Sequence, residues 1–224
     1  MTFDHDLFLL LNFDGGATLD RVMLTLSGTT MWLPLYALIL WLVWRRNGWQ
    51  RTLLFCALIL LALALADMVA GIFKHSGLLG DLFPGLPPRL RPMFTPALEG
   101  LDITPDSLST LRHAAPADAS WTVHVPQGAL GGRYGTISAH ASTTVALAVL
   151  SAGIIRRRWF TWLGIAAALL ICYSRIYLAK HFPVDLLLGT GVGILTGLFM
   201  LWLYKKSGRG FFKPLDPSGK QQAE

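Results

Sequence analysis

The sequence predicts an all-α integral membrane helical bundle with about five transmembrane helices, an amino-terminal interfacial helix and a long extracytoplasmic loop. Hydrophobic residues make up 53% of the chain and charged residues only 14%, whereas about 25% of the residues of a typical soluble domain are charged. Five segments also reach the length of about 20 mostly apolar residues that a bilayer core requires. This composition excludes a disordered chain, a disulfide scaffold and most soluble folds.

Each predicted span contains at most one charged side chain. In chain order the spans are 22–44, 52–73, 134–155, about 159–179 and 182–204. Backbone N–H and C=O groups find no water in lipid, so each span must be a helix that satisfies its own hydrogen bonds. The stretch 3–13 is apolar but short and flanked by acids, which favours an interfacial helix over a sixth span. We treat residues 1–224 as a single membrane domain.

Positive charges predict how the chain is oriented. Of the 19 Lys and Arg residues, 11 follow the first, third or fifth span, and the positive-inside rule makes these connections cytoplasmic. The amino terminus is then outside and the basic tail 205–224 is cytoplasmic, as in a protein of the bacterial inner membrane. The loop 74–133 is extracytoplasmic. The net charge of +6 is explained by this orientation, and we expect the membrane and no nucleic acid as a partner.

Ionisable side chains lie at the ends of several predicted spans, where membrane proteins rarely carry them without a functional reason. With alternating topology, five of them fall on the outer side: Lys74, His140, Arg175, His181 and Asp185. Two histidines, a carboxylate and several cations suit phosphoryl transfer, because positive donors neutralise the phosphate oxygens while one group attacks and another protonates the leaving group. The outer ends of the spans are therefore the predicted active site.

The spacing around the two histidines supports this chemistry. Asp185 follows His181 by one helical turn and can hold one ring nitrogen while the other nitrogen acts as nucleophile. His140 can donate and recover a proton near neutrality. Ser138, just ahead of it, is predicted to begin a helix whose N–H groups face an anion.

Three short motifs resemble those of the type-2 phosphatidic acid phosphatase superfamily, the membrane-bound lipid phosphatases that share a site with vanadium haloperoxidases. The segment 174–185 matches the family pattern S-R-x5-H-x3-D. Residues 138–140, Ser-Ala-His, are similar to the end of P-S-G-H, although Pro and Gly are replaced. The pattern K-x6-R-P is similar to Lys74 followed, after sixteen residues, by Arg91-Pro92. The resemblance covers roughly residues 67–190.

The resemblance implies a role for each matching residue. His181 would be the nucleophile that forms a phosphohistidine, Asp185 its orienting partner, and His140 the acid for the leaving group and then the base for water. The phosphate would be bound by a further set: Lys74, Arg91, Arg175, Ser138 and Ala139. Arg89 is the alternative to Arg91 in the first motif, and Pro92 favours Arg91. No metal and no cofactor are implied, since cationic side chains take the role that Mg²⁺ plays elsewhere.

The expected function is hydrolysis of a phosphate or diphosphate on a membrane lipid at the outer membrane face. Candidate lipid phosphate substrates are undecaprenyl diphosphate, lipid A phosphates, phosphatidylglycerol phosphate and phosphatidic acid. The loop segments 75–90 and 97–133 are predicted to select among them. Three alternatives remain open: a lipid-to-lipid phosphotransferase with the same site, a haem protein with His140 and His181 as axial ligands, and a scaffold whose charged layer forms buried ion pairs.

Three further patterns lie outside these motifs. Asp67, inside the second span, lies on about the same helix face as Lys74 and could either pair with an arginine of the site or support packing. Small residues repeat every four positions in the fifth span and predict close helix packing, at Gly189, Gly193 and Gly197. Histidines in the outer loop lack the spacing of zinc ligands and are predicted to be exposed, at His75, His113 and His124.

Overall fold

The computed structural model describes residues 3–73, 89–94, 123–129, 131–132 and 134–207. Within these ranges the chain is helical and contains no strand, only an isolated antiparallel bridge between Leu90 and Tyr134. The predicted all-α class is thus confirmed for the described residues. The helices are α1 (Phe3–Leu11), α2 (Gly16–Ser27), α3 (Leu33–Ile72), α4 (Ala139–Ile155), α5 (Arg158–Tyr177) and α6 (Pro183–Ser207), with a 3-10 turn at Thr30–Trp32.

Three described helical stretches are long and apolar enough to cross a membrane: Thr30–Ile72, α5 and α6. α4 is apolar but shorter, with 17 residues. α3 is interrupted at Gly48, whose backbone is non-helical with φ 77°, a conformation that glycine adopts readily. The part of α3 after Gly48 corresponds to the predicted second span, and the part before it covers only the second half of the predicted first span.

The predicted first span, 22–44, is broken in the structure. α2 ends at Ser27, Gly28 has an extended backbone, and α3 begins only at Leu33 with Pro34 in its first turn. Proline lacks the N–H that a helix interior requires and is tolerated at a helix start. The apolar composition continues across this break, which is why a hydropathy pattern does not detect it.

α4 lies at the centre of the bundle, packed against α3, α5 and α6. The predicted close packing of the glycines in α6 is confirmed. A Cβ at Gly193 would lie only 2.5 Å from the carbonyl oxygen of Ser142, and one at Gly189 would lie 2.6 Å from that of Ser138. These glycines let the backbones of α4 and α6 approach each other. As a result, the first residues of α4 and α6 lie side by side.

Basic residues gather at the end of the bundle where α4 and α6 finish. Arg46 donates to the carbonyl of Ile155 at 2.6 Å, and Arg51 donates to the carbonyl of Tyr204 at 3.1 Å. The last carbonyls of a helix lack intrahelical partners and carry a partial negative charge. The arginines therefore stabilise this end of the bundle, while the predicted site residues that the structure describes lie at the end where α4 and α6 begin.

The predicted loop 74–133 lies mostly outside the described residues. Lys74 lies outside them. Of the predicted substrate-selecting segments 75–90 and 97–133, the structure describes only residues 89–90, 123–129 and 131–132. The basic tail is described only as far as Ser207. The predicted interfacial segment 3–13 forms α1, and the ring of Phe8 packs edge-on against Phe182 with centroids 5.2 Å apart. α1 therefore packs on the turn between α5 and α6.

Candidate active site

A tight turn between α5 and α6 carries His181. α5 ends at Tyr177, and Ala179 adopts a left-handed backbone with φ 52°. The N–H of Lys180 returns to the carbonyl of Arg175 at 2.9 Å. Pro183 then opens α6, where a missing N–H costs nothing. The turn leaves the imidazole of His181 almost fully buried, ahead of the helix start.

The imidazole of His181 is held through its Nδ1 atom. Nδ1 donates to the carbonyl oxygen of Gly135 at 2.9 Å and lies 3.7 Å from Oδ2 of Asp185. A carbonyl only accepts, so Nδ1 carries the hydrogen and Nε2 carries the lone pair in the neutral ring. A Cβ at Gly135 would lie 3.2 Å from Nδ1 and 3.0 Å from Cγ of Arg91. Glycine therefore provides the close approach that this contact needs.

The carboxylate of Asp185 links the turn to two other segments. Its Oδ2 accepts from the N–H of Phe182 at 2.9 Å, while its Oδ1 lies 3.3 Å from Nη1 of Arg89. The backbone carbonyl of Asp185 accepts from the N–H of Ser138 at 3.1 Å. The starts of α4 and α6 are therefore joined directly, which brings the second and third predicted motifs together.

Arg89 and Arg91, the two alternatives for the first motif, have different partners. Arg89 contacts the carboxylates of Asp4 and Asp185, and its guanidinium stacks on the ring of Phe182 at 3.9 Å. Arg91 donates from Nε to the carbonyl of Tyr134 at 3.1 Å. Burial lowers the pKa of Arg91, and the charge of Asp185 opposes this shift. Arg89 is thus engaged by carboxylates, whereas Arg91 is the arginine that lies near the other cations.

Three cations lie close together beside His181: Arg91, Arg175 and Lys180. Burial, together with the charges of Arg175 and Arg91, lowers the pKa of Lys180 to about 8. Arg175 is 4% exposed, its Nε atom has no hydrogen-bond partner among the residues that the structure describes, and another of its nitrogens donates to Ser27 of α2. Mutual repulsion between these cations, of which Arg175 is buried and the other two are partly buried, is costly, and a bound anion relieves it.

The start of α4 lies next to these cations. Ser138 is fully buried and caps the helix, with its Oγ accepting from the N–H of Ala141 at 3.4 Å. Ala139 is the first residue of α4. His140 is exposed and lines a cavity of about 520 Å³. N–H groups at a helix start favour a bound anion, so the predicted helix start is confirmed and its position suits a phosphate.

Comparison with known families adds a separate line of support. The PAP2 superfamily matches residues 59–209, about two thirds of the chain. The chain belongs to the PAP2 superfamily. The match includes the second and third motifs and both arginines of the first, so the resemblance predicted from the motifs is confirmed.

The individual PAP2 proteins that resemble this chain share less than a third of its residues. The lipid A 4'-phosphatase of Bacteroides thetaiotaomicron is 29% identical over 90% of this chain and 76% of its own length. That of Porphyromonas gingivalis is 26% identical over 91% of this chain and 75% of its own length. The transmembrane PAP2 type phosphatidylglycerolphosphate phosphatase from Bacillus subtilis has the same fold, with a TM-score of 0.55 and 17% identity over 94% of this chain and 86% of that one. The present chain is an integral membrane protein.

Those PAP2 motif residues that the structure describes occupy one end of the bundle. The structure brings together Ser138, Ala139, Arg91, Arg175, His181 and Asp185, with His140 at the adjoining cavity and Arg89 behind Asp185. Sequence patterns missed four contributors: Asp4, Ser27, Gly135 and Lys180. Of these four, only Lys180 could have been identified from the sequence, because it directly precedes His181.

A second polar group lies around the hydroxyl of Tyr177. This hydroxyl donates to Oδ1 of Asp20 at 2.7 Å, and Nε2 of His124 lies 2.9 Å from the same oxygen. The pKa of Asp20 is lowered, since burial acts to raise it but the hydrogen bonds from Tyr177 and His124 outweigh burial. Asp14, Asp20 and His124 each offer one atom that could bind a metal ion, and these atoms lie within 4.8 Å of one another. The hydrogen bonds around Asp20 already explain why these side chains lie close together.

The prediction that His124 is exposed was wrong. Its side chain is only 16% exposed, because its ring packs edge-on against Tyr177 and its backbone N–H donates to Asn12 at 2.8 Å. These contacts fasten the segment 123–129 to α2, to α5 and to Asn12, which directly follows α1. His75 and His113, for which exposure was also predicted, lie outside the described residues.

Proposed function

We propose that this chain is a metal-independent lipid phosphatase that works through a phosphohistidine on His181. The proposal rests chiefly on one observation: Nδ1 of His181 donates to the carbonyl of Gly135 and lies 3.7 Å from the carboxylate of Asp185, and Arg91 and Arg175 lie nearby. Such a ring has a nucleophilic Nε2 and neighbouring cations that suit a phosphate. Family membership and the names of the two bacterial relatives support the same activity.

In the first step, Nε2 of His181 attacks phosphorus and a nitrogen–phosphorus bond forms. The bond from phosphorus to the oxygen of the lipid alcohol breaks, and His140 gives its proton to that oxygen. Asp185 and the carbonyl of Gly135 stabilise the positive charge that develops on the imidazole of His181. The phosphate oxygens are neutralised by a set of donors: Lys74, Arg91, Arg175, Ser138 and the N–H of Ala139.

In the second step, water attacks the phosphohistidine. His140, now neutral, takes a proton from the water as the oxygen–phosphorus bond forms and the nitrogen–phosphorus bond breaks. Inorganic phosphate leaves, and His181 returns to its starting form. The cations hold the phosphate throughout, so the mechanism requires no metal at the site.

Among the candidate substrates, we favour a phosphate of lipid A. Both relatives described above are lipid A 4'-phosphatases and match at least 90% of this chain. Undecaprenyl diphosphate, phosphatidylglycerol phosphate and phosphatidic acid are the other substrates to be tested. All four carry the phosphate that the cations of the site suit, and they differ in the group attached to it.

We further propose that the active site faces the extracytoplasmic side of the bacterial inner membrane, with five spans in one membrane domain of residues 1–224. Arg46 and Arg51 lie at the end of the bundle opposite the site, together with the basic segment 156–158. The positive-inside rule makes that end cytoplasmic. The loop 74–133 is then outside and the tail 205–224 inside.

The test is phosphate release by purified protein from each of the four lipids. His181→Ala is expected to abolish release and His140→Ala to reduce it at least a hundredfold, whereas Asp6→Asn, a change at an exposed position, leaves it unchanged. Vanadate should inhibit and EDTA should not. Absence of release from every lipid contradicts the proposal. Transfer of phosphate to a second lipid in place of water identifies a phosphotransferase.

A further inference from the structure

The cavity beside His140 extends from the predicted phosphate site to the second half of α3. Its volume is about 520 Å³, and its walls include Ser27 at the end of α2, Asp67 of α3 and His140 of α4. Ser27 also accepts a hydrogen bond from Arg175. The cavity therefore reaches from one of the phosphate-site guanidinium groups to an acidic side chain within a predicted span.

The cavity continues into an apolar groove of about 370 Å³ along α3. The two spaces share five lining residues: Thr29, Tyr36, Leu63, Thr143 and Thr144. Because the groove follows a helical stretch apolar enough to cross a membrane, it lies against lipid. A ligand that fills both spaces therefore has a polar end beside His140 and an apolar chain along α3.

Asp67 is the acidic residue of this cavity. Its side chain is exposed, and no hydrogen bond or ion pair to it is found among the residues that the structure describes. A carboxylate within a span is costly, and such residues commonly mark a functional site. An ionised carboxylate only accepts hydrogen bonds. The ligand group facing Asp67 must therefore donate them, as a hydroxyl or an amide N–H does, whereas a second phosphate would be repelled.

The position of His140 indicates which part of a substrate enters the cavity. In the proposed mechanism, His140 protonates the oxygen of the leaving alcohol, so this alcohol lies on the His140 side of the phosphate. Asp67 lines the same cavity and thus faces the group that carries the scissile phosphate. A sugar offers hydroxyl and amide donors at that point. Phosphatidic acid offers a diacylglycerol without them, and a prenyl diphosphate offers a second phosphate.

We propose that Asp67 is a specificity-determining residue that accepts hydrogen bonds from a sugar bearing the scissile phosphate, so that the enzyme prefers glycolipid phosphates to phosphatidic acid and prenyl diphosphates. This inference rests on the proposed function and deepens it. It also replaces the two roles that the sequence left open for Asp67, since no pairing arginine is found for it within the described residues and its side chain is exposed.

The experiment compares kcat and KM of wild type, Asp67→Asn, Asp67→Glu and Met68→Leu on bisphosphorylated lipid A, phosphatidic acid and undecaprenyl diphosphate in mixed micelles. Asp67→Asn keeps the shape but loses the charge, and Met68 is an exposed neighbour that does not line the cavity. Wild type should have its highest kcat/KM on lipid A. Asp67→Asn should raise KM for lipid A about tenfold to a hundredfold, the effect of one or two hydrogen bonds to a charged group.

The other substrates separate this role from a general one. With Asp67→Asn, kcat on lipid A and both constants on phosphatidic acid should stay within twofold, and KM for undecaprenyl diphosphate should fall. Asp67→Glu should recover part of the lipid A preference, and Met68→Leu should match wild type. An equal loss on all three lipids, or an unchanged KM for lipid A, overturns the role of Asp67 while leaving the phosphatase function in place. No release by wild type from any lipid overturns both.

Discussion

Asp4, in the first turn of the amino-terminal helix, contacts Arg89 at 2.5 Å, and Arg89 in turn lies 3.3 Å from Asp185. Asp4 also accepts from the N–H of Val184 at 3.0 Å, at the start of α6. One acidic side chain thus holds both the arginine behind Asp185 and the helix that carries Asp185. The amino-terminal helix α1 was predicted only to be interfacial, but its contacts also make it a structural part of the site.

This contact predicts that Asp4→Asn lowers kcat by about threefold to tenfold with little change in KM. The loss of a partly buried ion pair removes about 1 kcal/mol, and the orientation of Asp185 and His181 depends on Arg89. Asp6→Asn makes the same chemical change at an exposed position of the same helix and should have no effect. Steady-state kinetics on the best substrate checks this, and an equal fall in both variants would show that only the charge of the helix matters.

The third motif could be predicted from the sequence because its geometry is local. The spacing of His181 and Asp185 by one helical turn, with Pro183 between them, requires a turn followed by a helix start. Ser138 likewise predicts a helix start from its own chemistry. Such features depend on neighbours along the chain, and the structure has them where the spacing indicates.

Asp4 and Ser27 could not be predicted because their contacts are tertiary. Asp4 reaches Arg89, and Ser27 reaches Arg175, only after α1 and α2 have packed on the turn after α5. No periodicity or motif in the sequence records that packing. The break at Gly28 was missed for a related reason, since the apolar pattern reports burial in lipid and not the direction of the backbone.

Lys180 predicts a decline in substrate affinity above about pH 8. Its lowered pKa, about 8, means that the side chain is charged below this pH and neutral above it. A charged ammonium beside Arg91 and Arg175 attracts the phosphate, so KM should rise as the pH passes from 7 to 9. Lys180→Met should raise KM severalfold at pH 7 and remove most of this rise, because the variant has no charge to lose.

Lys180→Arg is the matched control, because a guanidinium stays charged throughout this range. It should keep a low KM at pH 7 and at pH 9. KM measured from pH 6 to 9.5 for the three proteins tests the assignment. A wild-type profile retained in Lys180→Met would assign the pH dependence to another group.

The glycines of α6 predict a contrast between two neighbouring substitutions. Gly189→Ala places a Cβ 2.6 Å from the carbonyl of Ser138, which forces the starts of α4 and α6 apart and should destabilise the protein by about 1–3 kcal/mol. Activity should fall as well, because Ser138 and Asp185 lose their register. Gly191→Ala meets nothing within 4 Å and should be neutral or stabilising by up to about 1 kcal/mol. Thermal unfolding in detergent, with activity at a temperature where both are folded, distinguishes them.

Tyr177→Phe tests whether the polar group around Asp20 holds α2 against α5. The Tyr177 hydroxyl donates to Asp20 and accepts from the N–H of Gly15 at 3.2 Å, so its removal leaves two groups without that partner and should cost about 1–2 kcal/mol. Tyr173→Phe removes a longer contact, 3.4 Å to the carbonyl of Leu11, and should cost less. Because Ser27 of α2 contacts Arg175, a loosened α2 should also raise KM in Tyr177→Phe. Equal stability of the two variants in thermal unfolding would mean that apolar packing alone holds α2 in place.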